Sequence, residues 1–356
     1  MLDIMKEETL QKVLNKMQMQ NAYLAAIAGA EPGTVRIGSL KDIAEIVKAG
    51  LAKKIFAVGD QIICPWTDIV SGKTYDFVWD IVHMGDVELE SGKTVPGMYL
   101  QSHYATLSSI QFDHPENEPA TEETAQEGLY YYGYDGSTYT YLSTLTTGDI
   151  IPYSDYTAIY HSEIKDTSAN ICRYGYNRWS HSAYRQYLNS TAGVNEWWSP
   201  QHAGDVAPDQ LKTVPGFLSG FDKEFLSVIN PIKVTTALNT VTDSGLGQAE
   251  DTYDLMFLPG LEQLYIKPQL SGEGEYWDYW KMATGASEPQ AAGGTYAERI
   301  TYAIENKTSP QNVCLRSAYR GTAYHAWSVN SSGSVYNHYA YNAYRCAPAC
   351  VICQSE

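Results

Sequence analysis

The sequence predicts a mixed α+β protein of low regular secondary structure, with helices at the N-terminus and short strands through the rest. Three observations predict it. Apolar residues recur at helical spacing over 3–29 and again over about 39–53. From Ile55 onward the period shortens to that of strands, as in 56–64 and 74–83. Clusters of Gly, Ser, Asn and Asp then interrupt the chain often enough to keep every later element short.

In the first helical pattern Leu10, Val13, Met17, Leu24 and Ile27 form one stripe, broken at Gln20 and stopped by Glu31-Pro32-Gly33. In the second, Leu40, Ile43, Ile46, Val47 and Leu51 share a face. Residues 1–54 therefore read as an N-terminal helical segment, either packed on its own domain or serving as a stalk for oligomerisation or docking. Three heptads are marginal alone. Residues 55–356 form the main domain. Its first two strands join through a glycine-containing turn. The acidic, proline-bearing stretch 114–128 reads as a surface loop. Tyr130 to Tyr141 reads as a structural hairpin turning at Asp135-Gly136, bordering a binding face at most. Residues 177–191 fit a helix capped by Ser180, with Ala183, Tyr184, Tyr187 and Leu188 inward.

Charge and composition exclude several functions. With 24 Lys and Arg against 41 Asp and Glu, the formal charge is −17, which argues against nucleic-acid or anionic-membrane partners. No apolar run approaches the roughly 18 residues of a membrane-spanning helix, so no membrane insertion is expected. Charged residues interrupt the N-terminus, which does not read as a secretion signal; synthesis in the cytoplasm is expected. The six cysteines, Cys64, Cys172, Cys314, Cys346, Cys350 and Cys353, read as buried thiols. The closing C-x3-C-x2-C lies in what reads as a final strand, where alternation sends Cys350 and Cys353 to opposite faces. No metal and no cofactor are expected.

Nor does a catalytic constellation emerge. The eight histidines form no metal-binding pair, and no nucleophile elbow or phosphate loop occurs. His114, His181 and His202 stand apart in sequence and read as surface or structural residues.

Information concentrates in 317–344, which hold six of the chain's 29 tyrosines and a single formal charge, Arg320. Asn, Ser, His, Thr and Ala fill most of the remainder. A strand buried on one face would alternate aliphatic and polar residues. This stretch does not, so most of its side chains are expected to be exposed. Tyrosine supplies rigid, amphipathic contact area at low entropic cost, and Ser, Asn and His add adaptable hydrogen bonds, which is the chemistry of a paratope. The residue set has a further regularity. Changing only the adenines of an Asn codon yields Tyr, His, Ser, Thr and Ala codons. Gly333, Val329, Val335 and Arg316 are interleaved as fixed positions.

Leu315-Arg316-Ser317, then Trp327 to Tyr344, then Ala347-Pro348-Ala349 resemble the variable region of diversity-generating retroelement target proteins of gut phages and prophages. Asn177-Arg-Trp-Ser, Arg185-Gln-Tyr-Leu-Asn and Met256-Phe-Leu-Pro resemble scaffold segments of the same domain. The resemblance implies a C-type-lectin-like domain over 55–356 that displays variable side chains at its C-terminal end. Carried over by position, the variable ligand-binding residues are Tyr319, Thr322, Tyr324, His325, Ser328, Ser334, Tyr336, Asn337, His338, Tyr339, Tyr341, Asn342 and Tyr344. Trp327, Val329 and Val335 pack beneath, and Asn330 is fixed. Two departures stand out: Cys314 replaces the usual Trp, and the lectin triplets EPN, QPD and WND are absent, which speaks against calcium-dependent sugar binding.

The function implied is receptor binding by a phage or prophage adhesin, with no enzymatic activity. Its ligand is a cell-surface protein or glycan, its place the virion at the tail, and residues 1–54 are a contact to other virion proteins. The alternatives are an adhesin that is never diversified and an enzyme of the formylglycine-generating type on the same fold. The latter needs a cooperating cysteine pair, for which Cys346 and Cys350 are the nearby candidates.

Overall fold

The computed structural model describes residues 39–116 and 119–354; the helical pattern over 3–29 lies outside the described residues. The second pattern is a helix, Leu40–Lys48, begun by Ser39, whose hydroxyl accepts from Asp42 N at 3.2 Å. Its stripe is not left free. Ile43, Ala44 and Val47 enter the main hydrophobic core, and Ile46 packs with Ile55. A short helix, Ala52–Ile55, spans the boundary drawn after residue 54.

Five antiparallel strands form the central sheet, in the order Gln61–Asp68, Lys73–Glu88, Thr94–Ser102, Ala349–Ile352 and Met256–Phe257. The edge strand alternates exposed and buried residues over Gln61 to Trp66, with one face inward. The second is buried continuously from Phe77 to Met84, because other elements cover both its faces. The turn between them rests on Asp68, whose carboxylate accepts from Val70 N at 3.1 Å, and on Gly72 at φ +70°. The last strand enters between Thr94–Ser102 and Met256–Phe257, so main-chain hydrogen bonds tie it to segments far away in sequence. One side of the sheet is filled by aromatic rings. Trp79 stacks on Phe225 at 5.6 Å and Phe221 on Phe225 at 4.5 Å. Full burial of each such ring contributes roughly 1.5–3 kcal/mol.

Smaller antiparallel sheets surround this core. Tyr130–Tyr134, Tyr139–Tyr141 and Ala158–Ser162 form one, with the expected turn at Asp135-Gly136. Ile232–Ala237 pairs with Ala249–Asp254, and Val313–Ala318, His325–Val329 and Val335–Tyr339 form a three-stranded sheet. The class is therefore mixed helix and antiparallel sheet. Among the described residues no helix is long and apolar enough to cross a membrane.

The helix expected over 177–191 is shorter. A 3-10 turn at Trp179–His181 precedes an α-helix at Ala183–Leu188, whose Ala183, Tyr184, Tyr187 and Leu188 are buried as expected. Its cap is Ser182, accepting from Arg185 N at 3.1 Å, rather than Ser180. Ser180 is diverted because its hydroxyl donates to Glu250 at 2.9 Å.

Candidate ligand-binding face

Side-chain alternation splits the C-terminal sheet into two faces. The opposed pairs His325 with Tyr339, Trp327 with Asn337 and Val329 with Val335 share one. Ala326 with His338, and Ser328 with Tyr336, share the other, where Cys314 lies opposite Ser328. Along the first face burial falls off toward one end. Val335 and Val329 are 0% and 2% exposed and Trp327 6%, whereas His325 and Tyr339 are half-buried.

Main-chain geometry locks the turn joining the last two strands. Asn330 Oδ1 accepts from Ser334 N at 2.8 Å and Ser332 N at 3.0 Å. Gly333 adopts φ +82°, and a Cβ there would sit 2.1 Å from Tyr296 O. Both residues are dictated by backbone chemistry. The preceding loop is clamped from outside: Asn177 Nδ2 donates to Thr322 O at 2.8 Å and His325 O at 2.7 Å, while Asn177 N donates to Ala323 O at 2.9 Å. Arg316 is fully buried. It donates to Leu258 O at 2.9 Å, to Thr236 Oγ1 at 3.2 Å, and to Gln263 and the Glu273 carbonyl. Burial pushes its guanidinium down to about 10. This residue is scaffold.

On this frame the rings form a continuous ribbon. Tyr319 lies 5.5 Å from Trp327 and 6.1 Å from His325, and His325 lies 4.7 Å from Tyr339. Tyr339 and Tyr324 are nearly parallel, 13° apart. Tyr174, a residue the sequence reading did not select, stacks on Tyr339 at 4.5 Å and Tyr341 at 6.0 Å. Tyr174 O accepts from Tyr341 N at 2.9 Å, which sets the stack. The guanidinium of exposed Arg173 sits 5.0 Å from the Tyr174 ring and 6.0 Å from Tyr139. The upstream hairpin therefore borders the ribbon. Its tyrosine count was the one signal in the sequence; Tyr174 and Arg173 carry no local mark. Thr322 Oγ1, 3.0 Å from His325 Nδ1, sits at the ribbon's edge, and burial lowers the His325 pKa and raises that of Tyr324.

Of the remaining selected residues, Asn337 shares the ribbon's face opposite Trp327 and Asn342 N donates to Tyr339 O at 3.0 Å; the others lie elsewhere. Tyr336 and Tyr344 join hydroxyl to hydroxyl at 2.8 Å on the opposite face, and Ser334 meets Thr295 across their hydroxyls at 2.6 Å. Two selections need correction. Ser328 is 0% exposed and His338 3%: both lie on the covered face of the sheet, where the Ser328 hydroxyl donates to Tyr336 O at 3.1 Å. His338 stacks on Tyr344 at 4.6 Å, its Nε2 is 3.3 Å from Cys314 Sγ, and burial pushes it down to about 3. The other eleven are half-buried rather than exposed, the aromatic ones among them because their rings cover one another.

Two of the histidines set apart in the sequence meet in the fold. His181 Nδ1 and His202 Nδ1 are 3.3 Å apart, and His202 Nε2 lies 2.7 Å from Glu116 Oε1. Tertiary folding brings these three together across 86 residues. All six cysteines are unbridged and buried. Among the described residues no group of three or more His, Cys, Asp or Glu is arranged to hold a metal.

Comparison with curated proteins found no match, and comparison with solved structures found none. A family model described as a domain of unknown function, DUF6273, matches residues 149–354. That match takes in the C-terminal sheet and the final strand but not the three strands before residue 149 that complete the central sheet. With more than half of its length matched, the chain belongs to the DUF6273 family.

Proposed function

We propose that the protein binds a receptor through the ribbon of rings, as a retroelement-diversified adhesin of a phage or prophage on a C-type-lectin-like scaffold. The observation that carries the reading is a partition within one short sheet. Residues expected to be constant are buried or locked into a turn: Arg316, Trp327, Val329, Val335, Asn330 and Gly333. Eleven of the thirteen residues expected to vary keep part of their surface open. Side chains of this kind can be exchanged while the frame stays intact. The last strand's place inside the central sheet, between Thr94–Ser102 and Met256–Phe257, holds the C-terminal region rigidly, as a display scaffold requires. Tyrosine faces supply burial and stacking, while Asn and Ser select orientation. Many copies on a particle would convert modest affinity into avidity.

The enzymatic alternative finds little support. Cys346 and Cys350 are both 0% exposed, and burial raises both thiols, Cys346 to about 12, away from the reactive thiolate. The deciding experiment is genomic. A near-copy of codons 317–344 beside a reverse-transcriptase gene, differing only where the copy has adenine, supports diversification. Differences spread over all four bases end it. For binding itself, cells displaying the receptor should be captured by the full chain and not by a Tyr339→Ala/Tyr341→Ala variant of unchanged fold.

A further inference from the structure

Of the ten buried side-chain polar atoms without a hydrogen-bond partner among the described residues, four belong to side chains lining one cleft. They are Glu122 Oε2, His161 Nδ1, Trp198 Nε1 and Asp205 Oδ1. Two more stand directly behind its wall. Glu116 Oε2 is orphaned while its other oxygen meets His202, a cleft residue, at 2.7 Å. Gln186 Nε2 is orphaned while its carbonyl oxygen accepts from Ser199 N, beside Trp198, at 2.8 Å. Folded proteins leave few such atoms, and a concentration at one place calls for a reason.

The cleft has a volume of about 800 Å³, within the range of small-molecule sites. Gly204 lets the backbone of one wall pack closely against the His161 main chain. It adopts φ +87°, and a Cβ there would lie 2.1 Å from His161 O. Carboxylates outnumber cations around it. Asp205 is 5% exposed and Glu116 0%, and each uses one oxygen internally, Asp205 on Gln201 N at 2.7 Å. Burial pushes Asp205 up to about 6, which leaves it ionised at neutral pH. The lining orphans thus present acceptors on the Glu122 and Asp205 carboxylates and a donor on Trp198. Terminal carboxylate and imidazole torsions have broad wells, so these atoms can turn to an occupant without leaving a rotamer.

We propose that this cleft, outside the tyrosine ribbon, binds a polyhydroxylated ligand bearing an ammonium group, in chemical class an amino sugar. The ammonium answers the carboxylates of Asp205 and Glu122, and a hydroxyl answers the Trp198 indole donor. Trp198 and Pro200 supply an apolar wall. A carboxylate oxygen left without a partner and shielded from water interacts with a cation more strongly than an exposed one does.

The test is calorimetric titration of the full chain with D-glucosamine, with its β-linked trimer, and with N-acetylglucosamine as the uncharged comparison. Saturable binding of the amines, with the acetylated sugar weaker by about tenfold or more, is expected. Tighter binding of the trimer assigns the cleft to a polymer, and equal binding to the free sugar. Asp205→Asn keeps an acceptor for Gln201 N, so the fold should stand. It and Glu122→Gln should each weaken binding about tenfold, while Glu123→Gln, an exposed neighbour, leaves it unchanged. The proposal is overturned if none of the three sugars binds, if the acetylated sugar binds as well as the amine, or if both cleft variants bind like wild type.

Discussion

Replacing Tyr339 by Ala, with Trp327→Ala in parallel, tests whether the ribbon can change without unfolding the chain. Tyr339 is the hub: Tyr174, His325, Tyr341 and Tyr324 lie 4.5, 4.7, 5.7 and 5.9 Å away. Aromatic pairs contribute roughly 0.5–1.5 kcal/mol each when well packed. Here the ring is half-buried and its neighbours can close over the gap, so the net loss should be about 1–2 kcal/mol. Trp327 is 6% exposed in the main core, where truncation costs about 3–5 kcal/mol. For a domain of this size each kcal/mol moves the Tm by about 2 °C, giving falls of about 2–4 °C and 6–10 °C. Urea and thermal unfolding followed by circular dichroism measure both. Equal losses would mean that Tyr339 is core and that the exchangeable-ring argument fails. Tyr339→Asn and Tyr339→Ser should match Tyr339→Ala within about 1 kcal/mol.

Other outcomes follow from the same geometry. Burial pushes His181 and His338 both down to about 3, so the folded form binds fewer protons than the unfolded chain between that value and about 6.5. Stability should fall as pH drops through this window, by up to about 1.4 kcal/mol per unit for each histidine. His338→Asn should flatten urea-derived stability against pH, whereas an unchanged slope would refute the burial argument. Asp205, raised to about 6, acts in the opposite sense: its cost appears as pH rises from about 4 through 6, so Asp205→Asn should stabilise the protein at pH 7. Gly333→Ala meets both positive φ and the Tyr296 carbonyl, and should cost about 3 kcal/mol or more in urea unfolding. Arg316→Met removes the buried donors to Leu258 O, Gln263 and the Glu273 carbonyl, and the positive charge near the buried Glu273 carboxylate, and should cost about 3–5 kcal/mol; a Tm within about 2 °C of wild type would contradict it.

Period and turn chemistry made much of the fold legible. The stripe from Leu40 to Leu51, the hairpin at Asp135-Gly136 and the terminal strand follow from local spacing, because each is decided within a few residues; the packing of Trp327, Val329 and Val335 is expected from the family resemblance instead. Ser182 replaced Ser180 as a helix cap because Glu250, seventy residues away, captures the Ser180 hydroxyl. No local rule contains that competitor.

The candidate site divides the same way. Composition alone marked 317–344 as a surface of tyrosines on a sparsely charged background, since side-chain chemistry is a property of the sequence. Which rings meet is a property of strand register. Register placed Ser328 and His338 inward and His325 and Tyr339 outward, although all four belong to the same run. Tyr174 and Arg173 joined the ribbon, and Glu116 found His202, through contacts that close long loops, which the hydrophobic core decides and no pairwise spacing encodes.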